Sequence, residues 1–459
     1  MFKNSLYYTF EKLGPKVFSI IVLPVILRLV KPELWAEITL LLGIQLLLSY
    51  FFTRGDERSL LKYSSNESLI YISIGNLIRY CLVGIIIFEA LGYILKVLPF
   101  SLEYGLPFRF MFLSTVLVAA NKLLLAKLRS EEKSKEIFYS SFVDSLLIQI
   151  FQLILIALVV RYDGFDSRVI VTAFFFSQLI GNIIKFLYFK IKLTLKFRKI
   201  VFSFKSKQQR EVINFSNISF LILISNYLLS WQDRYFVEYL FGFKQLGVYS
   251  VTTRLSNLGM VFMSSLLITA YSKYWPKDSN IRSGTNIENA TKDIFQISAL
   301  TFSIIMLITA TVGDYVLPVA YLESIRLIGY SGIVVFLQTY VLILTIDYGR
   351  QSKLSKVLMF NTLAAGTQFI LYLSLNITRL EEMFVIQMFS MMLFVFIFFG
   401  RREIVKYYKS NIILFLLLSS SFYIVNLIFL YDQILFRVLG FVISMVYSFL
   451  LLNKWVKVE

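Results

Sequence analysis

The stretch WQDRYFVEYLFGFKQLGVYS, Trp231 to Ser250, sets an acid beside a base, Asp233 and Arg234, where a long apolar run ends. It then adds Gly242, Gly247 and Tyr249 before a second apolar run that carries Arg254. Apolar runs of roughly 18 to 25 residues recur on both sides of it, each long enough to cross a hydrocarbon core about 30 Å thick. Hydrophobic residues make up 58% of the chain, aromatic ones 17% and charged ones 16%, whereas a soluble domain carries about 25% charged residues. Lipid offers the backbone no hydrogen-bond partner, so the runs must be helical. The sequence predicts an all-α polytopic membrane protein.

Inventory excludes whole classes of chemistry. There is one cysteine, Cys81, inside an apolar segment, and no histidine. An intrachain disulfide, a thiolate cluster, zinc chemistry of the usual kind and histidine-based catalysis are therefore ruled out. No phosphate-binding loop of the GxxxxGK[ST] kind occurs. Neither a metal nor a cofactor is expected. The N-terminal stretch has a basic start and an apolar run but no small-residue cleavage site, and reads as a retained first helix.

Fourteen spans are predicted, at about 14–31, 36–53, 68–95, 107–127, 137–160, 168–189, 212–232, 246–272, 292–313, 326–346, 356–375, 383–400, 411–430 and 434–452. Every other connection is rich in Lys and Arg, from TRGDERSLLK and KLRSEEKSK to GRQSKLSK and RREIVKYYK. About thirty basic residues fall on one side and fewer than about ten on the other, which places both termini in the cytoplasm. The net charge of +18 thus reads as topology, with no nucleic-acid partner. A twelve-span alternative breaks the alternation of charge.

Four regions follow: an N-terminal lobe over 1–190 (helices 1–6), a basic cytoplasmic linker over 191–211, a C-terminal lobe over 212–400 (helices 7–12) and a helix pair over 401–459. The linker reads either as a topology-setting loop or as a basic helix lying on anionic headgroups. Residues 33–63 and 245–274 are weakly similar at an offset of about 212, the pattern of two parallel six-span repeats.

Ionisable residues within spans are the candidate site, because an Arg at a helix centre costs about 2.5–3.5 kcal/mol unless it faces water or a partner. Arg79 lies near the middle of the third span, with a structural ion pair to Glu89 or Asp144 as its alternative. Arg254 lies a third of the way into the eighth. Arg28 lies one turn from the end of the first and also reads as a snorkelling end residue. Lys122, Lys185 and Arg437 read as anchors near span ends. Asp144, Glu89 and the pair Asp233 and Arg234 are candidates for ion coupling or gating, against interfacial charges worth little. Gln149, Gln152, Gln178, Asn182, Asn217 and Asn226 read as helix glue. Cations exceed acids, and the planar fork of Arg suits phosphate. The cargo expected is an anion.

Two segments carry a family resemblance. A span ending in Asp233, then Gly242, Gly247, Tyr249 and Ser250 before a long helix, resembles the start of the second half of Wzx-like polysaccharide-export flippases, members of the multidrug/oligosaccharidyl-lipid/polysaccharide (MOP) superfamily. The segment RLVKPELWAEITLLLGIQLLLSYFFTRGDERSLLKY, Arg28 to Tyr63, is similar to that family's RLLxPxxYGxxxL…GxxxxLxRY pattern, with Leu29, Pro32, Leu34 and Tyr63 in register. Trp35-Ala36 stands where Tyr-Gly is common.

The resemblance implies two six-helix lobes around a central cavity plus two extra C-terminal helices, about 14 transmembrane helices in all. It implies a transporter, not an enzyme, that moves an undecaprenyl-pyrophosphate-linked oligosaccharide across the bacterial inner membrane by alternating access. Arg79, Arg254 and Arg28 would contact the pyrophosphate. Membrane lipids and the polysaccharide polymerase and chain-length machinery are the implied partners. The rivals are an ion-coupled drug or metabolite exporter of the same superfamily, and a membrane polymerase or glycosyltransferase. The first predicts more acids in the cavity; the second needs a large external surface that these short connections do not provide.

Overall fold

The computed structural model describes residues 11, 14, 18–19, 21–63, 69–95, 105–131, 133–162, 167–193, 207–274, 316–350 and 354–393. All its regular elements are helices, with no strand among the described residues. They are α1 (21–29), α2 (Pro32–Thr53), α3 (Asp56–Lys62), α4 (Leu69–Leu95), α5 (Gly105–Ser130), α6 (Ser134–Tyr162), α7 (Ser167–Lys192), α8 (Lys207–Tyr274), a 3-10 turn (Val319–Tyr321), α9 (Glu323–Arg350), α10 (Leu354–Ser374) and α11 (380–393). Six helices among the described residues are long and apolar enough to span a membrane, α8 counting as one. The all-α, multi-pass expectation holds. The spans expected at 292–313, 411–430 and 434–452, and the helix pair over 401–459, lie outside the described residues.

One boundary needs correction. The seventh span was expected to end at 232, with Asp233 and Arg234 beyond it, yet the helix runs through them and breaks at Gly242, where φ is 81° and ψ 175°. Only glycine adopts that extended left-handed backbone readily. The acid and base are mid-helix residues, not a helix end.

The chain divides into two compact units. The first comprises 1–30 and 37–231; in it α5 packs on α7 and α4, and α6 on α7. A polar stripe runs along α2 at intervals of four: Gln45, Ser49 and Thr53 are all buried. Gln45 donates to the Ser114 hydroxyl on α5 (3.0 Å), and Asn121 on α5 donates to the Asn182 carbonyl on α7 (3.1 Å). Such bonds hold helices together where water is absent. The Asn182 side chain donates to the Ser114 hydroxyl and accepts from Asn121, both at 3.3 Å, which meets the expectation that it acts as glue.

The second unit comprises 31–36 and 232–459. On α10, Val357, Phe360, Asn361, Ala364, Ala365, Gln368 and Tyr372 form one buried face, the spacing a helix requires of an inward stripe. Thr252 on α8 donates to the Ser324 carbonyl at the start of α9 (3.1 Å). The six residues 31–36, the last five of which open α2, belong to this unit. Gly247 is why they fit: a Cβ there would overlap the Pro32 carbonyl.

Candidate functional site

The polar core of the second unit grows from two adjacent residues on α8. Asp233 is 2% exposed and Arg234 6%. Arg234 Nη1 lies 3.3 Å from Asp233 Oδ1, and Nη2 donates to Thr253 Oγ1 at 3.1 Å. The other carboxylate oxygen accepts a hydrogen bond from the Tyr249 hydroxyl, whose ring stacks on Phe384 of α11 with centroids 4.6 Å apart. Gln387 of α11 donates to the same hydroxyl at 3.3 Å. Beside this, Gln232 donates to Gln368 Oε1 and to the Ala365 carbonyl, both at 3.0 Å. Gln368 in turn donates to the Tyr372 hydroxyl (2.9 Å), which donates to the Met383 carbonyl (3.3 Å).

This arrangement welds α8, α10 and α11. A charge buried in a low dielectric is tolerated only when paired and hydrogen-bonded, and both oxygens of Asp233 are engaged. Asp233 and Arg234 thus form a buried, hydrogen-bonded pair inside the unit. Sequence reasoning missed Tyr372, Gln368 and Gln387. The spacing of Gln368 and Tyr372, four apart on an apolar helix, was the available signal.

Arg254 stands one turn beyond Ser250 on α8. Its guanidinium lies 5.0 Å from the centroid of the Trp35 ring, and Trp35 is 1% exposed. The residue at which the family pattern is broken is thus the one that carries this arginine. The indole face attracts the cation through its quadrupole.

In the first unit, Arg28 shares the exposed face of α1 with Ile21 and Val25, and Arg79 shares that of α4 with Ile78, Leu82 and Val83. Glu89 and Asp144 fall on α4 and α6, with side chains outside the described residues; Arg437 also lies outside them. Lys122, read from sequence as an end anchor, is placed differently: it reaches inward, donating to Ser49 Oγ at 2.8 Å, with Nζ 4.6 Å from the Tyr50 ring centroid. Position along a span had suggested an anchor; direction around the helix decides otherwise. No cluster of three or more metal-ligating side chains occurs among the described residues.

The sequence profile of the family described as polysaccharide biosynthesis protein matches residues 1–271. The chain belongs to that family. The resemblance seen at Asp233–Ser250 and Arg28–Tyr63 falls wholly within the matched residues. No curated protein matches the chain. Among solved structures, the chain is similar to a MOP superfamily transporter from Pyrococcus furiosus Vc1, described as having a binding pocket of reverse polarity. The two are 15% identical, with a TM-score of 0.60 over 89% of this chain and 97% of that one. It is also similar to a multidrug resistance MATE family transporter in an inward-facing conformation (13% identity, TM-score 0.57, 89% and 96% covered) and in an outward-facing one (13%, 0.58, 89% and 97%). At such identities the likeness shows the fold, which is that of MOP superfamily transporters.

Proposed function

We propose that the protein is a flippase that carries a polyprenyl-pyrophosphate-linked oligosaccharide from the cytoplasmic to the external leaflet of a bacterial inner membrane. The observation that carries this reading is membership of a polysaccharide biosynthesis family by a chain with a MOP transporter fold. Sugars and phosphates cannot leave water without replacement partners. Flipping a lipid-linked glycan therefore needs a protein that supplies those partners at membrane depth.

The charges favour an anionic head. Arg28 and Arg79 stand on exposed helical faces among large apolar side chains, a combination suited to an amphiphile with a phosphate at one end and a polyprenyl tail at the other. Arg254, held on Trp35, supplies the fork geometry that pyrophosphate oxygens accept. No covalent step is involved. Alternating access would move the head while the tail stays in lipid, with both termini cytoplasmic and the polymerase and chain-length machinery receiving the product.

A second reading, export of an organic cation, is favoured by the likeness to MATE transporters. Thermal stabilisation of the purified protein separates the two, because a ligand stabilises the state it binds by mass action. A short-chain polyprenyl pyrophosphate should raise the unfolding midpoint and a lipophilic cationic dye should not. The reverse pattern would establish the exporter.

A further inference from the structure

Between α2 and α3 the chain reverses through two left-handed residues, Arg54 (φ 46°) and Gly55 (φ 76°). The reversal drives Asp56 inward, where it is only 8% exposed. Its carboxylate meets two other helices. Asn76 of α4 donates to Oδ2 at 3.2 Å, and Ser73 of α4 and Ser216 of α8 also hydrogen-bond to it. The same turn is fastened to α8 by the Ser59 and Ser216 hydroxyls, 2.6 Å apart, and by edge-on contacts of Phe51 with Phe220 and Tyr63 with Phe215. All these residues belong to the first unit. One buried acid thus lies at the point where α3, α4 and α8 are clasped.

We propose that Asp56 is a proton-binding site of the transport cycle, protonated when the α2–α3 turn is closed on α4 and α8 and ionised when that turn opens to water. This rests on the transport reading above, and on charge asymmetry for placing the turn at the cytoplasmic face.

The geometry sets the sign. Burial raises the Asp56 carboxyl from 3.8 to about 6, against the hydrogen bonds of Asn76 and Ser216 and the charge of Arg54, which lower it. Arg54 itself donates to the Tyr80 hydroxyl on α4. The groups α4 and α8 present to Asp56, Ser73, Asn76 and Ser216, are neutral. The charge of Glu57 acts on Lys122 of α5 and Tyr50 of α2, and that of Glu211 of α8 on Tyr63. Arg58 is half-buried, and its charge acts on Tyr50 of α2. An open turn returns Asp56 to water and to an ordinary carboxyl. The closed form therefore binds the proton more tightly, and acid closes the clasp.

The surroundings differ from those of Asp233, which has a guanidinium on one oxygen and a phenol on the other, whereas the hydrogen bonds to Asp56 come from neutral donors.

The test uses the full chain in liposomes. Infrared difference spectra across pH should show a carboxyl band with a midpoint at about 6 that Asp56→Asn removes. Backbone hydrogen exchange in α3 and at 212–220, corrected for intrinsic rates, should slow about tenfold between about pH 7.5 and about pH 5 and lose that dependence in the variant. Asn76→Ala, which keeps Asp56 but removes a donor to its charged form, should move the midpoint upward. Flipping of a labelled polyprenyl-pyrophosphate oligosaccharide should respond to a pH gradient in the wild type and not in Asp56→Asn. A wild-type midpoint at about 4, or a gradient response intact in Asp56→Asn, overturns the proposal. If the titration and closure hold while the wild type does not move the labelled lipid, the clasp stands and the flippase reading falls.

Discussion

Arg254 of α8 lies over the ring of Trp35, the guanidinium carbon 5.0 Å from its centroid, although 219 positions separate the two in the chain. The pair ties the first turn of α2 to the second arm of α8 within one compact unit. A cation–π contact out of bulk water is worth about 2 kcal/mol. A double-mutant cycle over Trp35→Leu and Arg254→Gln should return a coupling of about 1–2 kcal/mol in detergent unfolding midpoints. Arg254→Lys should retain the stability but lose flipping rate, since an ammonium lacks the fork.

The close approach of α8 to the α1–α2 connection gives a sharper steric test. Gly247→Ala places a methyl against the Pro32 carbonyl. Overpacking of this kind costs about 1–3 kcal/mol, and Gly247→Val should cost more. Gly366, whose Cβ would meet nothing within 4 Å, is the control: Gly366→Ala should leave the midpoint unchanged or raise it.

Removing one half of the buried pair should be worse than removing both. Asp233→Leu leaves Arg234 buried without its carboxylate, and should destabilise by about 3–5 kcal/mol. Asp233→Leu combined with Arg234→Leu should recover much of the loss. Thermal unfolding of the two variants beside wild type checks the order, and equal losses would show that the pair is not coupled.

Lys122 separates stability from transport. Its ammonium has a hydroxyl and an aromatic face for company, with no carboxylate within 4.0 Å among the described residues. Lys122→Met should raise the unfolding midpoint, by the equivalent of about 1 kcal/mol, because a desolvated charge is removed. Flipping should fall in the same variant. A lower midpoint would mark Lys122 as structural only.

Stability should also depend on pH through Asp56. Its folded carboxyl titrates at about 6 against 3.8 unfolded, so the folded state binds the extra proton. The contribution is fully present below the unfolded value and is lost as pH rises through about 6. It amounts to about 3 kcal/mol at most. Asp56→Asn should abolish the slope between about pH 4 and about pH 6.

Much of the fold was legible because hydrophobic length is a local quantity: each run reports its own helix. Asp233, Gly242, Gly247, Tyr249 and Arg254 could be singled out for the same reason, being outliers against an apolar background. The partners could not. Tyr249 meets Gln387 across 138 positions and Gln232 meets Gln368 across 136, distances over which periodicity carries no information. Lys122 was misread because sequence gives depth along a span and not direction around it. Asp56 drew no notice within a connection rich in Lys and Arg, since nothing local announces that Arg54 and Gly55 turn it inward. Trp35 was visible only as a departure from the family pattern, with nothing to connect it to Arg254.

The central claim is that the intramembrane cations serve a pyrophosphate-bearing lipid. Its most direct test is translocation in liposomes, following a fluorescent polyprenyl-pyrophosphate oligosaccharide from one leaflet to the other with wild type and with Arg254→Ala. The account predicts flipping by the wild type and at least about a tenfold loss in the variant, the effect of about 1.4 kcal/mol of lost head-group binding. Extrusion of a cationic dye by a protein that leaves the labelled lipid in place would contradict it.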